Sequence, residues 1–141
     1  MAQSVTVTWS WQPVGQLKLV EGKLAFPKVP NVAGVYRLTL LDAAGNRTGV
    51  CVGEAARFQP RFQNYQTPGP SQATNLRMNS ILSDTLRQGG TVRVEIITEA
   101  QAKIGEEPLP SLGLTQKARR RLVERAAEVI ERESGAPELN R

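Results

Sequence analysis

Residues 34–53 run GVYRLTLLDAAGNRTGVCVG, and no other stretch constrains the fold as strongly. Val35–Leu41 is rich in β-forming residues, Asp42–Asn46 carries turn chemistry, and Thr48–Val52 resumes the extended pattern. Two such runs around one turn predict a β-hairpin with a longer loop, ended by Gly53. Upstream, Val5, Val7, Trp9 and Trp11 alternate with polar residues, which predicts a strand with one buried face. A second extended stretch, Gln16–Leu24, follows the turn-prone Pro13–Gly15 region and suggests an N-terminal hairpin. Pro27 and Pro30 bracket an irregular connector.

Helical signals follow. Arg57–Tyr65 reads as a short helix starting near Arg57, with Pro60 tolerated because first-turn amides have no intrahelical acceptor to lose. After the loop Thr67–Ala73, Thr74 or Asn75 can cap a helix spaced by Leu76, Met78, Ile81, Leu82, Thr85 and Leu86 and stopped by Gly89–Gly90. Thr91–Thr98 predicts a strand, and residues 99–114 read as a loop with Pro108, Pro110 and Gly113. A last helix over about Thr115–Glu133 shows an apolar stripe of Ala118, Leu122, Ala126, Val129 and Ile130. The expected fold is mixed α/β, a small antiparallel sheet flanked by helices. It divides into a β extension over 1–29, packed on a main domain over 30–141.

Composition narrows the chemistry. The chain has 141 residues, one cysteine (Cys51) and no histidine, so imidazole catalysis, most zinc sites and an internal disulfide are excluded. No apolar run approaches the roughly 18–20 residues of a membrane span, and no secretory signal is evident, so a cytoplasmic protein is expected. The net charge is +5, and 13 of the 18 basic residues are arginine, whose planar fork suits phosphate. Over residues 57–93, Arg57, Arg61, Arg77, Arg87 and Arg93 face only Asp84, a local excess suited to nucleic acid. Arg57, Arg77 and Arg87 are therefore candidate DNA contacts. A high-pI protein with no such partner has the same composition.

An ordered set of residues adds to this. Gly34–Tyr36 (GVY) opens the first strand of the hairpin and Cys51–Gly53 (CVG) closes the second; Arg61 follows Gly53 by eight residues and Tyr65 follows Arg61 by four. A glutamate-bearing helix comes late, and Leu139–Asn140 almost last. Over roughly residues 30–141 this resembles the GIY-YIG nuclease family. The resemblance implies a three-stranded antiparallel sheet flanked by helices, and DNA phosphodiester hydrolysis with one divalent ion, Mg²⁺ or Mn²⁺. Gly34, Tyr36 and Gly53 match the motif, Arg61 falls where the family keeps its catalytic arginine, and Tyr65 where it often keeps a tyrosine or histidine. Asn140 matches the terminal asparagine, a structural residue near the site. Cys51 replaces the usual second tyrosine, and the span from Tyr36 to Cys51 is longer than is common. The metal-binding glutamate is Glu124 by its LVER context, or Glu128 if counted back from Asn140.

The resemblance implies roles. Glu124 would hold the ion, and Arg61 would offer its fork to the phosphoryl oxygens. Tyr36 would act as base or water-positioning group, the phenolate favoured by Arg61 and the ion. Tyr65, one turn beyond Arg61, would share that role or orient the phosphate. Each has a plainer alternative: Tyr36 as a core aromatic, Arg61 as a solvated cation, Glu124 as the partner of Arg120 or Arg121. Trp9 and Trp11 are core residues or base-stacking platforms, and Cys51 a small buried residue. The function expected is a metal-dependent DNA endonuclease. A catalytically inactive binding module on the same fold is the alternative, and a basic face meeting an acidic protein a third reading. Oligomeric state is open.

Overall fold

The computed structural model describes residues 2–135 and 137–139. At its centre is a four-stranded antiparallel sheet. β5 (Gly34–Leu41) and β6 (Arg47–Ala55) form the expected hairpin, with β7 (Thr91–Ile97) on the other side of β5 and β2 (Gln12–Gln16) beyond it, in the order β2-β7-β5-β6. The turn is tied by Asp42, whose carboxylate accepts from the amides of Ala44 (3.0 Å) and Asn46 (2.8 Å).

Alternation along β5 sorts the two faces. Tyr36, Leu38 and Leu40 join a core with Val92, Val94 and Ile96 beneath α1 (Phe58–Gln66) and α2 (Ala73–Arg87). Val35, Val50, Val52 and Ile97 join a second core with Val123 and Ala127 of α3 (Lys117–Glu133). Nearly every one of these side chains is removed from water. Each large one contributes about 1.5–3 kcal/mol against the entropy of ordering the chain.

The N-terminal segments do not pair with each other. β1 (Val5–Trp9) pairs with β8 (Ala100–Ile104), and β2 pairs with β7. The hairpin expected over 1–29 is thus confined to β3 (Lys18–Val20) and β4 (Lys23–Ala25). Residues 99–114 are not all loop, since β8 and the short β9 (Glu107–Pro108) complete a three-stranded sheet with β1. α2 starts earlier than Thr74 or Asn75, with Gln72 at the cap position making no side-chain cap bond.

The face of α3 differs from expectation. It buries Arg120, Val123, Ala127, Glu128 and Glu131, while Leu122, Val129 and Ile130 of the expected stripe are 40%, 57% and 58% exposed. Ion pairs explain the reversal. Arg120 donates to Glu54 on β6 (2.7 Å) and to the carbonyls of Leu114 and Thr115. Glu131 accepts from Arg37 on β5 (2.6 Å) and pairs with Arg47 on β6, and Arg37 also binds Glu95 on β7 (2.7 Å). Burial alone would raise the Glu131 carboxyl, but the two arginines outweigh it and hold it below the usual range. α3 is therefore pinned near both ends, with Glu124 between the pins.

Beyond α3 the chain lies along the exposed edge of β6. Val50 donates to the Pro137 carbonyl and accepts from the Leu139 amide (2.8 Å each), and Arg77 of α2 donates to the Leu139 carbonyl (2.7 Å). This covers part of an edge that would otherwise offer unpaired backbone groups.

Candidate active site

All five phenylalanine and tyrosine residues of the chain gather on the α1 face of the sheet. Phe26 stacks on Phe62 at 4.5 Å, Phe62 meets Tyr36 edge-on at 5.2 Å, and Phe58 stacks on Phe62 at 5.8 Å. Tyr65 crosses Tyr36 edge-on at 6.2 Å. This cluster fixes the orientation of both phenols, which are 1% and 2% exposed.

Two glycines make the packing possible. Tyr36 pairs with Gly53 across the hairpin, and a Cβ on Gly53 would collide with the Tyr36 hydroxyl and ring. A Cβ on Gly34 would strike the Ile97 carbonyl and the ring of Phe58, the first residue of α1. Each motif glycine is thus a point of close approach.

The hydroxyls of Tyr36 and Tyr65 are 2.8 Å apart. Arg61 serves both, its Nε donating to Tyr36 (3.0 Å) and one terminal nitrogen to Tyr65 (2.8 Å), while its other terminal nitrogen donates to Asn75 Oδ1 (3.2 Å). The guanidinium also lies 4.5 Å over the Tyr65 ring. Five N–H donors less three engaged leaves two on Arg61. Nothing in the local sequence marks Asn75 as a partner, because α2 brings it there only in the folded state.

Burial pushes both phenols up, more than Arg61 pulls them down, so both are neutral at ordinary pH. For the phenolate expected of Tyr36, burial thus works against Arg61. Cys51 is 1% exposed with its Sγ 3.9 Å from the Tyr65 hydroxyl, and burial pushes its thiol up to about 11, as fits a packing residue.

These groups open onto a cleft of about 710 Å³ between the sheet edge, α2 and α3. Tyr36, Gly53, Arg61 and Tyr65 line one side, and Glu124, Glu128, Arg121 and Arg125 of α3 the other. Glu54 of β6 lines it as well. Burial raises the Glu124 carboxyl, and the neighbouring Glu128 and Glu54 raise it further. Glu128 is buried against Arg125 (3.3 Å) and Arg132 (3.7 Å), and Glu54 is bound by Arg120. Such a donor set fits one hard divalent cation held by a single carboxylate and completed by water. Among the described residues no group of three or more potential ligands closes around an ion.

The cleft thus brings together Tyr36, Arg61, Tyr65, Gly53, Glu124 and Glu128. Arg57, Arg77 and Arg87 are exposed outside its lining. Arg77 holds Leu139, and Arg87, paired with Asp84, lies nine residues along α2 from the cleft residue Met78, or about 14 Å. Asn140 lies outside the described residues. Arg121 was legible only as a helical partner of Glu124, and Arg125 was not singled out; the place of both on the cleft wall depends on which face of α3 is buried. Trp9 and Trp11 are partly buried against the α3-side core, and Arg37 lies 4.5 Å over the Trp11 ring. No helix among the described residues is long and apolar enough to cross a membrane.

No protein-family model and no curated protein sequence matches the chain. Among solved structures, a point mutant of bacteriophage T4 EndoII is similar over 85% of this chain and 90% of that one, with a TM-score of 0.57 at 12% identity. That neighbour is a GIY-YIG nuclease, and the chain shares its mixed α/β fold of antiparallel sheets and helices.

Proposed function

We propose that the protein is a metal-dependent endonuclease that hydrolyses phosphodiester bonds in DNA. The observation behind this reading is the convergence on one cleft of Tyr36, the Arg61–Tyr65 pair of α1 and Glu124, which come from three separate parts of the sequence. Phosphodiester cleavage requires a positioned water, neutralisation of charge building on the phosphoryl oxygens, and help for the leaving oxygen. The two uncommitted donors of Arg61 suit bidentate contact with two phosphoryl oxygens. Its other three donors are held by Tyr36, Tyr65 and Asn75, so the fork is already oriented when substrate arrives. Tyr36 positions the attacking water as a neutral hydroxyl, since burial disfavours its phenolate. Tyr65 orders Tyr36 and Arg61. A Mg²⁺ or Mn²⁺ ion held by Glu124, or by Glu128 as the alternative ligand, would neutralise phosphate charge and polarise the water. Arg121 and Arg125 hold the flanking DNA backbone from the opposite wall. The exposed Arg57, Arg77 and Arg87 extend that contact beyond the cleft.

The experiment is incubation of the protein with plasmid and Mg²⁺ or Mn²⁺, alongside Arg61→Ala and Glu124→Ala. Cleavage that both substitutions abolish supports the mechanism, and undiminished cleavage in both overturns it. One observation favours a second reading, a binding module on the same fold. Cys51 stands where the resemblance expects a tyrosine, and its buried thiol supplies no hydroxyl to the cleft. In that case salt-sensitive DNA binding persists with no cleavage under either ion.

A further inference from the structure

The free edges of the sheets are guarded against pairing, with one exception among the described residues. Part of the β6 edge is covered by residues 137–139. β2 carries Pro13 and an irregular register between Pro13 and Gly15. β9 is two residues long and includes Pro108, and the β3–β4 pair bears Lys18 and Lys23. Short strands, proline, bulges and lysine are the usual guards of an edge. β1 forms one edge of the three-stranded sheet and has none of them. Its sequence is VTVTW in unbroken register with β8, and the first charged side chain of the chain is Lys18.

The direction of the β1 backbone groups is fixed. Gly105 donates to the Ser4 carbonyl (2.9 Å), so the hydrogen-bonded pairs with β8 continue by alternation at Thr6–Lys103 and Thr8–Gln101. Val5, Val7 and Trp9 therefore turn their N–H and C=O groups to the open edge. β8 shows the same alternation, because Ala102 and Ala100 use their carbonyls for Leu109 and Leu112 on its far side.

We propose that β1 pairs antiparallel with β1 of a second copy of the chain, about a twofold axis at Val7, joining two three-stranded sheets into one of six. The strand's own sequence selects this occupant. Residues 4–10, SVTVTWS, read almost the same in both directions. With Val7 opposite its counterpart, Val5 meets Trp9, Thr6 meets Thr8 and Ser4 meets Ser10. Aromatic–β-branched and threonine–threonine pairs are favourable across strands. The register also sets outward groups against outward groups, so Val5–Trp9 and Val7–Val7 can each exchange two backbone hydrogen bonds. A slip of one residue would break that match. An unrelated strand would share the backbone bonds alone. No charged side chain of β1 enters the contact, so the net charge of +5 opposes it only at screened distances, and nucleic acid finds no cation on the strand. Val5 is 53% exposed, although it alternates with Val7 and Trp9 on the core-facing side, and the indole of the second copy would cover it. The pairing uses the free β1 edge of both copies, so assembly stops at two. Five residues a side make a small contact, which sets the dissociation constant at about 10–100 μM. None of these residues lines the cleft, so the pairing does not rest on the nuclease reading.

The test is sedimentation equilibrium of the full chain from about 1 to about 300 μM, a range that brackets the expected constant. The average mass should climb from 15.4 kDa toward twice that value. Thr6 and Thr8 are exposed, so they can be exchanged without entering the core. Thr6→Glu plus Thr8→Glu sets carboxylates opposite each other at two places across the axis and should weaken the dimer about tenfold. Thr6→Glu plus Thr8→Lys sets opposite charges at the same two places and should restore the parent's constant or better it. Position 6 lies beside Lys103 on β8, which a glutamate there suits, and circular dichroism checks that both variants keep the fold. A mass of one chain at every concentration overturns the proposal. A parent dimer that the glutamate pair leaves unchanged, or that the Glu–Lys variant fails to restore, also overturns it by assigning association to another surface or register. A mass that grows past two chains without a plateau ends the twofold pairing. None of these measurements reads cleavage, so failure here and failure of the nuclease reading are told apart.

Discussion

Replacing Gly53 with alanine should damage the site through a single methyl group. The added carbon would overlap the Tyr36 hydroxyl and stand 2.9 Å from Cε1 of the same ring. Carbon atoms rest about 3.5–4.0 Å apart, so the ring must shift by roughly 0.6–1 Å at that edge, and further at the hydroxyl. It has little room, being 1% exposed and bordered by Phe62 at 5.2 Å and Tyr65 at 6.2 Å. Overpacking of this kind costs about 1–3 kcal/mol. Displacing the hydroxyl also breaks its bond from Arg61, worth about 1.5–3 kcal/mol for a charged donor. Gly53→Ala should therefore lose about 3 kcal/mol in urea unfolding, a large share of the ~5–15 kcal/mol typical of a domain. In the plasmid assay the misplaced groups should cost about 100-fold in rate. Tyr36→Phe supplies the control: without the hydroxyl the worst overlap disappears, so the double variant should be about 1 kcal/mol more stable than the sum of the single losses implies. A Gly53→Ala protein that unfolds within about 0.5 kcal/mol of the parent and cleaves at its rate would refute the steric argument.

Glu124→Gln should raise Tm at neutral pH while abolishing cleavage. The folded carboxyl is pushed up by burial and by Glu128 and Glu54, so its ionised form opposes folding above the unfolded value and the amide removes that opposition; an unchanged or lower Tm would count against crowding. Glu131 carries the opposite sign. Its folded value is depressed, so its contribution is complete above the unfolded carboxylate value near 4.3 and disappears as pH falls through the folded one. The acid limb of stability against pH should be shallower in Glu131→Gln, which a set of urea titrations at falling pH would show. Arg121→Ala and Arg125→Ala should each reduce the slope of log K for duplex DNA against log salt by about 1, with little dependence on sequence. Slopes equal to the parent's would place the DNA backbone elsewhere.

The site was legible where local spacing decides the geometry and illegible where the tertiary fold does. Gly53, Arg61 and Tyr65 are separated by lengths that a strand end and two turns of one helix convert directly into position. The pairing of Tyr36 with Gly53 follows from hairpin register. By contrast, α3 hid its buried face, because Arg120 and Glu131 are inside by virtue of ion partners on β6 and β5, and Glu128 by pairing with Arg125 and Arg132 of the same helix. Hydrophobic periodicity reads such positions as outside, and it placed Leu122, Val129 and Ile130 inward instead. β8 went unseen because AQAKI holds one β-branched residue, and its strand is set by pairing with β1, about 95 residues away in sequence. The partners of β1 and β2 were out of reach for the same reason, since adjacency in sequence favoured a hairpin that the sheets do not contain.

The placement of the aromatic side chains gives the molecule two separate optical probes. Both tyrosines lie in the cleft with Arg61, so near-ultraviolet circular dichroism in the tyrosine band follows the order of that site. Trp11 lies under the guanidinium of Arg37, which is itself bonded to Glu131. The Trp11 share of the indole emission, isolated by Trp9→Phe, therefore follows the seating of the last turns of α3, while the tyrosine band follows the cleft.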